Sequence, residues 1–240
     1  SAFSAPEGRL LVSADYAQIE LVILAHLSRD PNLCAAFNEG KDVHRETASL
    51  IFGVAPDAVS ADQRRTAKTI NFGVMYGMSA FRLGNQLGIP RGKAQAFIDS
   101  YFATYSHIRE FIRATIEKAE QTGYVETIMG RKRPIPAINS KNKTEKAGAE
   151  RIAVNTPIQG SAADVVKKAM IAVDKALKER IPGAKLLLQV HDELIFECPS
   201  EKSVLDATLA LIREKMEGAV KLSVPLRVSI EAGKNWGAFH

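Results

Sequence analysis

The segment Lys185–Pro199, with the sequence KLLLQVHDELIFECP, indicates how the rest of the chain folds. Its two apolar runs, 185–190 and 194–199, have the length and composition of buried strands. The acidic stretch 191–193 between them predicts a tight turn. The segment therefore predicts a β-hairpin with carboxylates at its tip.

The remaining elements predict an α+β fold. A strand covers 9–15 and ends at Asp15, a helix begins at Ile19, and a last strand covers 224–230. Strands far apart in sequence can share one sheet, so the helical middle of the chain is expected to be an insertion. The expected helical stretches are 42–106, 108–121, one that begins near 144, 162–180 and 202–218, with loops at 130–136 and 139–146.

Composition excludes several classes of protein. The 240 residues are 46% hydrophobic and 25% charged, which is typical of a globular protein and not of a disordered chain or a disulfide scaffold. A formal charge of +5 is a weak indication of a polyanionic partner. Cys34 and Cys198 lie far apart, which fits a reducing compartment. The sequence has no phosphate-binding GxxxxGK[ST], no GxGxxG, no HExxH and no GxSxG.

Acidic residues at strand ends form the first candidate site. If the strands pair, Asp15 and Asp192-Glu193 converge at one sheet edge, where a cation would neutralise their repulsion. Mg²⁺ suits such oxygen ligands, and two ions would act on a phosphorus centre. Neighbouring strand residues face opposite sides, so Asp192 and Glu193 are not both ligands unless the turn rotates one. The spacing fits ordinary turn residues equally well.

A second candidate site is a stripe of side chains four residues apart on a predicted helix. Two cations followed by two aromatics suit a nucleoside triphosphate, but a solvated basic turn followed by core aromatics gives the same pattern. Gly73 inside this helix is harder to explain by packing, because glycine there costs about 1 kcal/mol relative to alanine. The stripe consists of Arg64, Lys68, Phe72 and Tyr76.

A third set, Arg151, Asn155 and Gln159, has the same spacing. It indicates either a solvated helix face or contacts to a nucleic-acid groove. The basic runs 131–133 and 141–146 fit phosphate binding and ordinary surface solubility about equally.

Together and in this order, these segments resemble the family A DNA polymerases. Asp15–Leu21 (DYAQIEL) resembles motif A, Arg64–Gly77 (RRTAKTINFGVMYG) motif B and Gln189–Glu193 (QVHDE) motif C. The resemblance covers essentially the whole chain and is closest to the carboxy-terminal palm and fingers of bacterial members.

The resemblance implies a right-hand polymerase fold. An antiparallel palm sheet would come from 1–45 and 146–240, and a mostly helical fingers insertion from 46–145. The thumb is expected to be absent, because only 14 residues precede Asp15.

The resemblance also implies roles for individual residues. Asp15 and Asp192 would ligate two Mg²⁺ ions, with Glu193 in a supporting role. Arg64 and Lys68 would hold the triphosphate, and Lys68 would also protonate the leaving pyrophosphate. The other implied contacts are Phe72 with the sugar, Tyr76 with the templating base, Glu20 against a 2′-hydroxyl, Gln18 and His44 with the nucleotide, and Arg151, Asn155, Gln159 and His191 with primer-template DNA.

The expected function is that of a DNA-directed DNA polymerase that extends a primer with deoxynucleoside triphosphates in replication and repair. The protein is expected to be a monomer in the bacterial cytoplasm, at the nucleoid and not at a membrane. The 240-residue chain alone is expected to be poorly active. A non-catalytic nucleic-acid or nucleotide-binding module and a two-metal nuclease are the alternatives.

Overall fold

Residue contacts divide the chain into two units in the computed structural model, which describes residues 3–239. The sheet unit contains the residues up to Val22 and those from Ala162 onward, and the helical unit is Ile23–Ser161. The elements are β1 Arg9–Tyr16, α1 Ile19–Ser28, α2 Pro31–Asn38, α3 Val43–Phe52, α4 Ala61–Met75, α5 Ala80–Leu87, α6 Arg91–Thr104, α7 Ser106–Thr122, β2 Tyr124–Glu126, β3 Lys132–Pro134, α8 Lys143–Arg180, β4 Lys185–Val190, β5 Glu193–Pro199, α9 Lys202–Glu217 and β6 Val228–Gly233, with 3₁₀ turns at Pro56–Ala58 and Trp236–Ala238.

The sheet unit is built on four antiparallel strands in the order β4-β5-β1-β6. Strands from both ends of the sequence therefore share one sheet, as the sequence predicted. Asp15 of β1 lies opposite Glu193 on one side and Ser229 on the other. The predicted hairpin is confirmed, because Val190 pairs with Glu193 across a turn of two residues, His191 and Asp192.

The two faces of this sheet differ in polarity. Side chains alternate along a strand, so Val12, Ala14 and Tyr16 share one face with Leu194 and Phe196 of β5. All five are buried, and α9 packs against the strands that carry them. The Tyr16 hydroxyl donates to the Met216 carbonyl of α9 over 2.6 Å. The opposite face carries Ser13 and Asp15 together with the apolar Leu11 and Ile195.

The helical unit agrees with the predicted helical block and explains its breaks. Helices begin at side-chain caps, including Asp42 before α3 and Ser60 before α4. The Ser60 cap is reciprocal, because Gln63 accepts a hydrogen bond from the Ser60 amide. Gly53 and Gly123 end α3 and α7 in the left-handed conformation.

Three predicted boundaries were wrong. The expected loop 130–136 contains β3, because Gly130 at φ +77° closes a tight turn that brings Lys132–Pro134 back against β2. The helix predicted to begin near 144 and the helix predicted over 162–180 are a single helix, α8, which begins at Lys143 and passes through Pro157 without ending. The last strand begins at Val228 instead of 224.

The limits of the two units also differ from those expected for palm and fingers. Residues 23–45 and 146–161 fall in the helical unit. Residues 146–161 belong to the helical unit because Ala149 and Ala153 of α8 pack with Ala119, Val125 and Ile135. No helix of residues 3–239 is long and apolar enough to cross a membrane.

The Tyr16 hydroxyl is expected to stabilise the sheet unit. Tyr16→Phe removes the hydroxyl that donates to the Met216 carbonyl and leaves that carbonyl to backbone amides such as that of Ala219 at 3.3 Å, so the free energy of unfolding should fall by about 1 kcal/mol. Urea denaturation followed by circular dichroism measures this change. Tyr124→Phe is the control, because Tyr124 lies on the short strand β2 and is only half-buried. An equal loss in both variants would contradict the role of the Tyr16 hydrogen bond.

Candidate active site

The polar face of the sheet forms the floor of a cavity of about 540 Å³. Ser13 and Asp15 of β1, Glu193 of β5 and Ser229 and Glu231 of β6 all line it. These five residues occupy one face because the register places Asp15 opposite Glu193 and Ser229, and Ser13 opposite Glu231. The turn residues His191 and Asp192 complete the wall beside them.

The carboxylates of Asp192 and Glu193 have different surroundings. Glu193 is a buried strand residue whose Oε1 accepts a hydrogen bond from the Ser13 hydroxyl at 2.5 Å. Asp192 belongs to the turn, is half-buried and faces the same cavity. The geometry therefore brings Asp15 and Asp192 to one cavity and gives Glu193 a hydrogen bond within the sheet.

The backbone is strained at both acidic segments. His191 in the hairpin turn and Gln18, which follows β1, both have φ of +55°, a region that residues other than glycine rarely adopt. The Gln189 side-chain Nε2 donates to the His191 carbonyl over 2.7 Å and so stabilises the turn. Such strain persists only where the surrounding structure imposes it, and it is often found at functional sites.

The carboxylate oxygens at this cavity suit a hard divalent cation whose remaining ligands come from a bound substrate. Among the described residues, no group of three or more His, Cys, Asp or Glu side chains is arranged to hold a metal. Mg²⁺ is commonly bound by one or two carboxylates together with substrate phosphates, so two aspartates in an open cavity suit it. Asp15 and Asp192 are the residues that could hold such an ion.

The predicted cationic stripe lies on α4 in the helical unit. Arg64, Lys68 and Phe72 follow one another at intervals of four, and Tyr76 caps the end of the helix. Lys68 is exposed. The Arg64 Nε donates to Asp42 Oδ2 over 2.6 Å. This ion pair orients the Arg64 side chain, and the sequence did not predict it.

Asp42 makes hydrogen bonds to both α3 and α4. Its Oδ1 accepts from the backbone amides of His44 and Arg45 and so caps α3. Burial acts to raise the pKa of the Asp42 carboxyl, but the hydrogen bonds from Arg64 and from the Arg45 amide outweigh it and hold the pKa below its usual value. An aspartate just before a predicted helix is a capping signal that could have identified this residue from the sequence.

His44 is buried beside this ion pair. Its Nδ1 lies 2.9 Å from the Asn71 side-chain nitrogen of α4, and its ring centroid lies 5.8 Å from that of Phe72. Burial, with Arg64 and Lys68, lowers the pKa of His44 to about 4, although the charge of Asp42 acts in the opposite direction. His44 is therefore neutral at pH 7.

The third predicted set is divided between two cavities of the helical unit. Arg151 and Asn155 line a cavity of about 260 Å³ with Val74 and Gly77 from the end of motif B. Gln159 lines a separate cavity of about 220 Å³ formed with the basic turn 131–133. In that turn, Arg131 donates to the Gly160 carbonyl and Arg133 to the Thr156 hydroxyl.

Comparison with known proteins shows the family. A sequence profile described as DNA polymerase family A matches residues 1–238. DNA polymerase I of Treponema pallidum is 52% identical over 239 residues, which are 100% of this chain and 24% of that protein. The thermostable DNA polymerase I of Thermus aquaticus is 51% identical over 235 residues, 98% of this chain and 28% of that protein.

A solved structure agrees with the sequence comparisons. The POL domain of Pol1 from M. smegmatis, in complex with DNA primer-template and dNTP, matches with a TM-score of 0.94 at 43% identity. The match covers 99% of this chain and 42% of that one. The chain belongs to DNA polymerase family A, whose members use divalent metal ions. It spans about a quarter of the length of the two curated relatives.

The neutral, buried His44 is expected to make folding stability pH-dependent. Its pKa is about 4 in the folded chain and about 6.5 in the unfolded one, so the unfolded state binds more protons between these values. Stability is therefore lost as the pH falls through this window. From pH 7 to pH 5, the free energy of unfolding should fall by about 1–2 kcal/mol more in the native chain than in His44→Gln. Urea denaturation at the two pH values measures the difference, and equal pH dependence would contradict the assignment.

Proposed function

We propose that the chain is the palm and fingers portion of a DNA-directed DNA polymerase. In this proposal the palm comprises 1–45 and 146–240, which include the sheet unit, and the fingers comprise 46–145, which belong to the helical unit. The primer 3′-oxygen attacks the α-phosphate of a deoxynucleoside triphosphate, and pyrophosphate leaves. The observation that carries the proposal is the placing of Asp15 and Asp192 around one cavity, in a chain that matches family A along its length.

The sheet residues would hold the metals. Asp15 and Asp192 offer hard carboxylate oxygens to two Mg²⁺ ions, while Glu193, held by Ser13, adds negative charge without being a primary ligand. When bound, the two ions would lower the pKa of the attacking hydroxyl and neutralise charge on the leaving group. The chain's own contribution is to hold the two carboxylates in a fixed register before substrate arrives.

The residues of α4 would bind the nucleotide. Arg64 and Lys68 offer cations to the triphosphate, and Arg64 is oriented beforehand by Asp42. Lys68 is exposed and would donate a proton to the departing pyrophosphate. Phe72 and Tyr76 would contact the sugar and the templating base, with His44, Gln18 and Glu20 lining the nucleotide site.

The DNA contacts would come from the cavities of the helical unit and from the hairpin turn. Arg151, Asn155 and Gln159 offer hydrogen bonds to the primer-template, and His191 does so from the exposed turn. The basic turn 131–133 would contact phosphates. The protein would act as a monomer in the bacterial cytoplasm, at the nucleoid, in replication and repair.

Primer extension tests this proposal. The chain, both alone and within a complete polymerase, is placed in excess over a labelled primer-template, mixed with one deoxynucleoside triphosphate and Mg²⁺, and sampled through a single turnover. Asp15→Asn and Asp192→Asn should each lower the extension rate at least about 50-fold, because each removes a metal ligand's charge. Asp206→Asn, on the exposed surface of α9, is the control and should leave the rate unchanged.

The same assay separates the alternative functions. Shortening of the labelled strand would indicate a nuclease, and retention of DNA and nucleotide without any reaction would indicate a binding module. Undiminished extension by either aspartate variant would remove that residue from the metal site.

A second prediction concerns the proposed phosphate contact of Lys68. Lys68→Ala should lower kcat/KM for the nucleotide by about 10- to 100-fold, because the lysine stabilises negative charge that grows during the reaction. Lys93→Ala, an exposed lysine on α6 of the same unit, serves as the matched control. Equal effects of the two substitutions would mean that Lys68 contributes only general positive charge.

A further inference from the structure

A buried hydrogen-bond network joins three helices of the helical unit. Asn71 of α4 contacts His44 of α3 through its Nδ2 and Thr47 of α3 through its Oδ1, at 2.9 and 3.2 Å. The Thr47 hydroxyl also lies 2.8 Å from the hydroxyl of Tyr105 at the end of α6. His44, Thr47, Asn71 and Tyr105 are each at most 2% exposed. The contacts of the network are therefore almost fully buried.

The network determines which ring nitrogen of His44 carries the proton. The Asn71 Oδ1 faces the Thr47 hydroxyl at 3.2 Å, a hydroxyl that also lies 2.8 Å from the Val43 carbonyl, and the amide Nδ2 of Asn71 lies 2.9 Å from His44 Nδ1. An amide NH₂ can only donate, so the Nδ1 that receives it must be unprotonated. A neutral imidazole has one ring proton, and here it must lie on Nε2.

The protonated nitrogen is available to a ligand. Within the part of the chain that the structure describes, Nε2 of His44 has no hydrogen-bond partner. The charges that act on the ring are Asp42, Arg64 and Lys68, and the last two are the cations proposed for the triphosphate. An N–H donor beside two cations suits a phosphate oxygen.

We propose that Asn71 is a positioning residue that holds the His44 imidazole with its proton on Nε2, so that this N–H donates to a phosphate of the bound nucleotide. The inference rests on the proposed function, because it takes His44 to lie in the nucleotide site. The new element is that the His44 N–H donor depends on Asn71, which does not itself contact the nucleotide. The contact with His44 gives the buried Asn71 side-chain amide a role within the helical unit.

The tautomer itself can be observed without any activity. In the chain labelled with ¹⁵N-histidine, the His44 resonances, assigned by their loss in His44→Gln, should show a pyridine-type Nδ1 and a pyrrole-type Nε2 at pH 7. Asn71→Ala should give a mixture of both tautomers. Thr47→Val, which removes the hydroxyl that orients the amide at nearly constant volume, should shift the ratio in the same direction. A protonated Nδ1 in the native chain, or an unchanged ratio in both variants, would overturn the inference.

Nucleotide affinity tests the consequence. In titrations with dATP and Mg²⁺, Asn71→Ala should raise the Kd about fivefold, which corresponds to weakening one hydrogen bond. The substitution should have no further effect in the His44→Gln background, because it acts through that ring. Thr69→Ala, which removes a hydroxyl that donates to the Arg65 carbonyl within α4, is the matched control and should leave the Kd unchanged.

The outcomes separate this inference from the proposed function. If His44→Gln raises the Kd but Asn71→Ala does not, the positioning role is overturned and the nucleotide role of His44 stands. If His44→Gln leaves the Kd unchanged, the nucleotide role of His44 is itself wrong. Equal effects of Asn71→Ala in both backgrounds would show a general structural role for Asn71 and would also overturn the inference.

Discussion

The pairing of β1 between β5 and β6 is the constraint on which the carboxylate site depends. Side chains alternate along each strand, so a slip of one residue in either pairing would move Asp15 from the cavity face to the face packed against α9. The slip would also expose Tyr16 and bury a carboxylate among apolar side chains, which costs several kcal/mol. The apolar face therefore fixes the position of the acidic one, and the core and the site are specified by the same register.

The hairpin turn adds a second constraint. Glu193 is held in β5 by its pairing with Asp15 and by the hydrogen bond from the Ser13 hydroxyl. The adjacent Asp192 would face the other side of a regular strand, so it reaches the same cavity only because it lies in the turn. A turn of two residues between antiparallel strands favours positive φ, and His191 adopts it although it is not glycine. The strain at His191 is the structural cost of placing Asp192 beside the cavity.

The parts that could be predicted from the sequence are those set by local pattern. The hairpin, β1 and the helical block follow from apolar runs, from the two periodicities and from capping residues such as Asp42 and Ser60. The parts missed depend on contacts between distant residues. The division of Arg151 and Asn155 from Gln159 follows from the segments that lie beside each turn of α8, which are α4 and α7 for the first two residues and the turn 131–133 for the third. The bond between Arg64 and Asp42 spans 22 residues and has no periodic signal.

The two units place their charged groups in different ways. In the sheet unit, adjacent strands supply carboxylates of like sign, so their mutual repulsion favours a bound cation. In the helical unit, the ionised Asp42 partly compensates the cation of Arg64, while the nearby histidine is kept neutral by burial. A protonated His44 beside Arg64 and Lys68 would add a third positive charge in a buried position. The buried ring, held by Asn71, gives its N–H a fixed direction, which a freely rotating lysine ammonium does not provide.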